Sequence, residues 1–208
     1  MKNSPSKSKY HYGDLRNTLL EVASEMLKEG GIEDISLRKI SSRVGVSRTA
    51  PYHHFKNKNA LLCGIAEEGF KQLHHINKNT FNNDRFSMEE KFSLYIHQYV
   101  NFAKDNSELY ELMFGRTIWK QKNSTQELKD VAYPCFQHQV EMTNQWQKLK
   151  LLNSSDNDEN DALRVSQVLW GTIHGIAKLL IDGIYTDVSH VEEICNKAVD
   201  IFLVDSKK

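Results

Sequence analysis

The chain has 208 residues, 39% of them hydrophobic and 26% charged, which suits a soluble globular protein of one domain or two small ones. No apolar run approaches the roughly 18 residues of a membrane span, the basic start MKNSPSKSKYHYGDL lacks the apolar centre of a secretory signal, and the scattered Cys63, Cys135 and Cys195, with no CxxC, exclude a disulfide framework or a cysteine zinc site. A cytoplasmic protein is therefore expected. Zero net charge hides an asymmetry: residues 1–60 carry 11 Lys+Arg against 6 Asp+Glu, and the remainder carries 16 against 21. A basic head on an acidic body is the distribution expected when one part meets a polyanion, with an accidental imbalance as the competing reading.

Residues 1–12 read as a flexible basic arm. From Asp14, a plausible cap, Leu15, Leu19, Val22 and Met26 recur on one helical face until Gly30 or Gly31 ends it. Ser36 caps a very short unit with Leu37, Ile40 and Val44 on its apolar side, and Gly45 stops it. Ser47 then starts a second short helix of similar length, and Asn57 caps a longer one, 58–79, with Leu62, Ile65, Ala66 and Leu73 inward. Ser87 and Glu90 form a capping-box pattern ahead of the stripe Phe92, Tyr95, Tyr99, Phe102. Ser107 caps a short helix ending near Gly115; Ser124 and Glu127 suggest a second capping box, before Leu128, Val131, Cys135, Met142, Trp146 and Leu149. Pro134 predicts a kink or break near Ala132–Tyr133. An acidic polar loop, 153–160, precedes a helix over 161–182 that is apolar nearly all round and needs cover on more than one side. A last helix follows from about Ser189, with Val191, Ile194, Ala198, Ile201 and Phe202. Strand signals are scarce, so the fold class is all-α, with about nine helices.

Two short helices joined by a glycine turn over 36–55 give the helix-turn-helix layout. Gly45 can take a positive φ, and Val46 can drop between the two helices. The second helix has a free outer face of Arg48, Thr49, Tyr52 and His53 or His54, suited to the major groove, with Lys56 and Lys58 beside it. Adjacent histidines on a helix do not face the same way, so no metal site is expected at His53–His54.

The segment ISLRKISSRVGVSRTAPYHHFKNKNALL (35–62) resembles the DNA-binding signature of TetR-type bacterial transcriptional regulators, and with the preceding helix the likeness covers about residues 13–75. WGTIHGIAKLL (170–180) is similar to the Trp…His-Gly pattern of one C-terminal subclass of that family. The resemblance implies a helix-turn-helix DNA-binding domain over 13–58, a connecting helix, and an effector-binding and dimerisation domain over 80–208. It implies a homodimer joined through the last two helices, bound to double-stranded operator DNA as a repressor and released by a small-molecule effector. The family's usual DNA contacts fall on Arg38, Arg48, Thr49, Ala50, Tyr52, His54 and Lys58. Pro51 stands where the family often has Leu, and this bears on where the recognition helix starts.

The C-terminal half holds more amphipathic aromatics than a minimal core requires: with the 92–102 stripe come Tyr110, Met113, Trp119, Tyr133 and Phe136. An apolar pocket with a few polar handles, for an apolar or aromatic ligand, is expected in this set. The candidates are Phe92, Tyr95, Tyr99, Met113, Trp119, Tyr133, Trp170 and His174. His174 has two readings, a core histidine bonded across helices or an effector contact. Gly171 and Gly175 allow a second helix to approach, within the subunit or across a dimer axis. No phosphate-binding glycine loop, HExxH or nucleophile elbow occurs, so neither catalysis nor a cofactor is expected. An adaptor whose helix-turn-helix only packs is the alternative.

Overall fold

The computed structural model describes residues 14–120, 123–155, 159–185 and 188–204; the expected arm, 1–12, lies outside them, as do 156–158 of the acidic loop. In chain order the α-helices are α1 (Leu15–Asp34), α2 (Leu37–Val44), α3 (Lys58–Phe81), α4 (Met88–Asp105), α5 (Ser107–Phe114), α6 (Arg116–Trp119), α7 (Gln126–Lys148), α8 (Asp161–Ile181) and α9 (Val191–Phe202). Among the described residues there is no strand, only an isolated antiparallel bridge between Leu152 and Leu203. No helix among them is long and apolar enough to cross a membrane.

Local signals place the helix ends. Asp14, Ser36, Asn57 and Ser87 each accept a backbone N–H from three residues on, and Ser87 with Glu90 completes the reciprocal capping box. Gly45 closes α2 with φ 81°, in the left-handed region. A Cβ there would meet nothing within 4 Å, so the cost of a side chain is backbone strain alone. Gly45→Ala is expected to cost about 1–2 kcal/mol. That lowers a thermal midpoint, read by circular dichroism, by about 2–8 °C.

The helix ends depart from expectation at several places. The first helix breaks at Gly31, one of the two expected ends, with φ 68°, but a further turn runs on to Asp34. Ser107 is the first residue of α5 rather than its cap, since Asn106 takes that place. The cap of α7 is Thr125, whose hydroxyl accepts from the Leu128 N–H, not Ser124. A 310 turn over Val188–His190 leads into α9, so the α-helix starts two residues after Ser189. The expected break at Pro134 is absent: α7 runs on through it. Pro134 and Asp130 are both exposed, so the Asp130 carbonyl that the proline cannot serve is left to water.

One continuous apolar core runs from α1 to α9. Here α3 packs on α1, α5 and α7, and α8 packs on α4 and α7. Gly64 on α3 lets Leu20 and Phe55 approach closely, since a Cβ would sit 3.1 and 3.2 Å from their side chains. Trp146 of α7, fully buried, sits edge-on to Phe81 and Phe92.

Candidate functional site

The first candidate site is the segment between α2 and α3. The expected two-turn helix is not there. Instead Arg48 and Thr49 form a turn, and a 310 helix of four residues, Ala50–His53, follows. Its cap residue is Thr49 rather than Ser47, and the Ser47 hydroxyl instead closes the turn ahead of it, accepting from the Ala50 N–H at 3.2 Å. Pro51 explains the shortening: it has no N–H to extend the ladder, and the next donors bond three residues back, Tyr52 to Thr49 at 3.1 Å and His54 to Pro51 at 3.0 Å. The ring of Pro51 is buried, as is Phe55, so the proline anchors the segment while its neighbours stay outside. Arg48, Thr49, Tyr52, His53 and His54 are exposed, and Ala50 is half-buried.

The charges nearby divide into paired and free. Arg43 forks onto Glu29 at 2.5 and 2.6 Å, and Lys39 bonds Asp34 at 2.7 Å, so both cations are neutralised within the head. Arg38, Arg48 and Lys56 are exposed and have no ion pair among the described residues. Lys58 is half-buried, and its ammonium donates to the Ile32 carbonyl at 2.8 Å, tying the start of α3 to the last turn of α1. Among the described residues no group of three His, Cys, Asp or Glu could hold a metal ion.

The second candidate site is a cavity of about 440 Å³ enclosed by α3, α4, α7 and α8. Tyr95, Tyr99, Trp119, Tyr133 and Trp170 of the expected set line it. Phe92 does not, because its ring is fully buried against Trp146 at 5.0 Å. Met113 stands behind the wall, its side chain against Gly69 and its carbonyl accepting the Trp119 indole N–H at 2.6 Å. His174 stands behind Phe114 and Trp170 and bonds across helices to the Tyr110 hydroxyl at 2.6 Å. Phe70 and Asn77 of α3 and Gln139 of α7 were not singled out from the sequence, and Leu73 was expected only to face inward, yet all line the cavity. The 70–73–77 spacing is one helical face, and a polar Asn on it is the signal that could have shown α3 continuing past the head as a pocket wall.

Polar groups in the cavity are few and mostly committed. Gln139 donates to the Ser166 carbonyl at 2.9 Å. Burial pushes the Cys135 thiol up to about 11, so it is a neutral wall group. Burial also lifts Tyr95, Tyr99 and Tyr110 well above the usual phenol range and lowers His174 below the usual imidazole range. All four are uncharged at neutral pH. Asn77 Oδ1 is buried and has no hydrogen-bond partner among the described residues.

Comparison with known proteins completes the picture. Residues 19–63 match the model of bacterial regulatory proteins of the tetR family, and residues 93–202 match the model of the tetracyclin repressor-like C-terminal domain. The chain belongs to the TetR family. Relatives of this TetR-family chain include the class A tetracycline repressor protein of Escherichia coli, 40% identical over 58 residues, which are 28% of this chain and 27% of the repressor. An HTH-type transcriptional repressor of Mycobacterium tuberculosis is 30% identical over 69 residues, 33% of this chain and 37% of that protein. The chain thus matches only about a quarter to a third of the length of these relatives. Among solved structures, a protein of unknown function from Rhodococcus sp. RHA1 superimposes with a TM-score of 0.80 at 28% identity, covering 94% of this chain and 97% of its own. The TetR family regulator PfmR of Thermus thermophilus superimposes with a TM-score of 0.65 at 16% identity, over 91% of this chain and 99% of its own, and shows the same fold. The family to which the chain belongs is one of bacterial regulatory proteins.

Proposed function

We propose that this TetR-family chain is a cytoplasmic, dimeric repressor that binds partly palindromic operator DNA on the nucleoid and leaves it when a small apolar or aromatic effector enters the cavity. The observation that carries the DNA reading is the exposed turn Arg48–His54, with Arg48, Arg38 and Lys56 left unneutralised around it. A free guanidinium on a protruding turn can fork onto a guanine edge, and Thr49 and Ala50 can meet a thymine methyl. Tyr52 and His54 face the sugar–phosphate backbone, with Arg38, Lys56 and Lys58 fixing register on phosphates. In this reading residues 13–58 are the DNA-binding domain, α3 connects, and 80–208 hold effector and partner. Effector binding would favour a spacing of the two heads that no longer matches successive major grooves, about 34–36 Å apart.

A mobility shift on the DNA upstream of the protein's own gene tests this. Sequence-selective binding at moderate salt is the expected result, and its absence for an intact dimer would refute the reading. Three phosphate-binding cations per head make six per dimer. Affinity is then expected to fall about a thousandfold between 50 and 200 mM salt. A flat response would remove the electrostatic argument.

The dimer reading rests on an apolar strip with no cover inside the subunit. On α8, Val168 is 62% exposed and Leu179 is 39% exposed, and a Cβ added at Gly171 or Gly175 would meet nothing within 4 Å. Among the described residues the glycines serve no close approach, which supports the approach of a second subunit. Ile201 on α9 is 70% exposed, whereas Phe202 is half-buried against the core, so Ile201 is the residue to test. Ile201→Glu would bury an unpaired charge, costing about 3 kcal/mol or more. It is expected to raise the dimer dissociation constant over a hundredfold in sedimentation experiments.

A further inference from the structure

Four side chains from three helices form one hydrogen-bond chain at the cavity wall. The Trp170 indole N–H of α8 donates to the Tyr99 hydroxyl of α4 at 2.8 Å. The Tyr99 and Tyr110 hydroxyls are 2.9 Å apart, and the Tyr110 hydroxyl is 2.6 Å from His174 Nδ1. Tyr99 and Trp170 line the cavity; Tyr110 and His174 stand behind them.

The proton order in this chain is constrained. The indole can only donate. With Tyr99 accepting from it, the Tyr99 proton has one protein acceptor among the described residues, the Tyr110 oxygen. Tyr110 then donates to His174 Nδ1, which must be bare, with the ring proton on Nε2. Both hydroxyls and the indole are satisfied in that order, and Tyr99 offers the cavity no donor. The reverse order places a proton on Nδ1, makes Tyr110 donate to Tyr99, and turns the Tyr99 proton into the cavity. In that order the Tyr99 proton has no acceptor among the described residues, so the protein's own contacts favour the first order and an acceptor on a ligand would favour the second.

We infer that this chain selects effectors carrying a hydrogen-bond acceptor, a carbonyl or carboxylate oxygen, on an aromatic body, and that their binding reverses the chain and places a proton on His174 Nδ1. The proton reaches the ring either from Nε2 by way of solvent, leaving a neutral tautomer, or by net uptake. In both cases the Tyr110 and Tyr99 protons each rotate to their other neighbour and no bond between heavy atoms changes. The charged groups facing His174 are Glu111 on α5 and Lys178 on its own helix, which pair with each other. Burial keeps the ring neutral in the empty state, in line with a bare Nδ1. The inference rests on reading the cavity as the effector site, and deepens that reading.

A matched pair of probes tests it on the full-length dimer: fluorenone, with an acceptor carbonyl, and fluorene, the same shape without one. Binding is followed by tryptophan fluorescence, and its location by the indole NMR signals of Trp119 and Trp170. One neutral hydrogen bond predicts about fivefold tighter binding of fluorenone. The difference should vanish in Tyr99→Phe. The ¹⁵N signal of His174 Nδ1 should move from that of a bare ring nitrogen to that of an N–H on adding fluorenone, and stay bare with fluorene. Equal affinity of the two probes for the unaltered protein would overturn the inference while leaving the cavity as a ligand site, and so would a bare Nδ1 in the fluorenone complex. If neither probe shifts the indole signals, the cavity reading falls with it. Because the unaltered protein decides these outcomes, poor folding of Tyr99→Phe would not rescue the inference.

Discussion

Replacing Arg48 by Ala is expected to abolish useful operator binding while leaving the fold intact. Arg48 is exposed, pairs with no carboxylate among the described residues, and sits in a turn whose geometry comes from Ser47 and the buried Pro51. Its removal therefore takes away nothing that holds the head together. A guanidinium reading a base pair contributes about 1–3 kcal/mol of discrimination. Two half-sites double that, so affinity should drop from about thirtyfold to beyond ten-thousandfold. The loss should be sequence-selective: binding to unrelated DNA, held by Arg38, Lys56 and Lys58, should change far less. Mobility shifts on operator and scrambled duplexes, beside a thermal melt, separate the two effects. If Arg48→Ala binds operator like the parent, the helix-turn-helix only packs and the adaptor reading wins.

The largest loss of stability is expected at Trp146→Ala. The indole is fully buried, with ring centroids 5.0 Å from Phe92, 5.8 Å from Phe81 and 5.9 Å from Tyr95, and it donates to the Met88 carbonyl at 3.1 Å. Truncation removes the filler of a joint shared by α3, α4 and α7 and takes one hydrogen bond from a carbonyl that the ladder of α4 still serves. Cavity formation costs about 3–5 kcal/mol, and the lost hydrogen bond about 0.5–1.5 kcal/mol more. Against a total stability of about 5–15 kcal/mol this is a large share. A melting temperature lower by about 10–20 °C is expected. Trp146→Phe should recover part of it, since a smaller ring keeps some of the aromatic contacts and none of the hydrogen bond. Tyr95 touches both Trp146 and the ligand cavity, so ligand affinity should fall in the same variant.

Features that depend on near neighbours in the chain were legible before the fold was known. Ser36, Gly45, Asn57 and the Ser87–Glu90 pair set helix ends within four residues, and all appear where their chemistry places them. Features set by tertiary surroundings were not. Ser124 and Thr125 are both good caps in isolation, and the helix uses Thr125, whose hydroxyl accepts from the N–H of buried Leu128. The recognition segment was read as a helix because Ser47 starts it well, yet buried Pro51 limits it to a single 310 turn. In the aromatic set, spacing put Phe92 and Tyr95 on one stripe. Only the position of Trp146 shows that Phe92 faces core and Tyr95 faces the cavity. Phe70 and Asn77 escaped notice because α3 looked finished once its role beside the head was assigned.

The intact passage of α7 through Pro134 bears on how a ligand gets in. Tyr133 and Phe136, on either side of the proline, both line the cavity, and Tyr133 is 58% exposed at its rim. An ordinary helix flexing at that point would have to break a rung of its backbone ladder, and each rung lost adds to the barrier. Here the rung is missing in the resting molecule, because Pro134 has no proton for the Asp130 carbonyl. Bending α7 outward at the rim therefore forfeits one backbone bond fewer than in an ordinary helix. The cavity wall thus carries a seam beside the exposed Tyr133, apart from the joint that Trp146 fills.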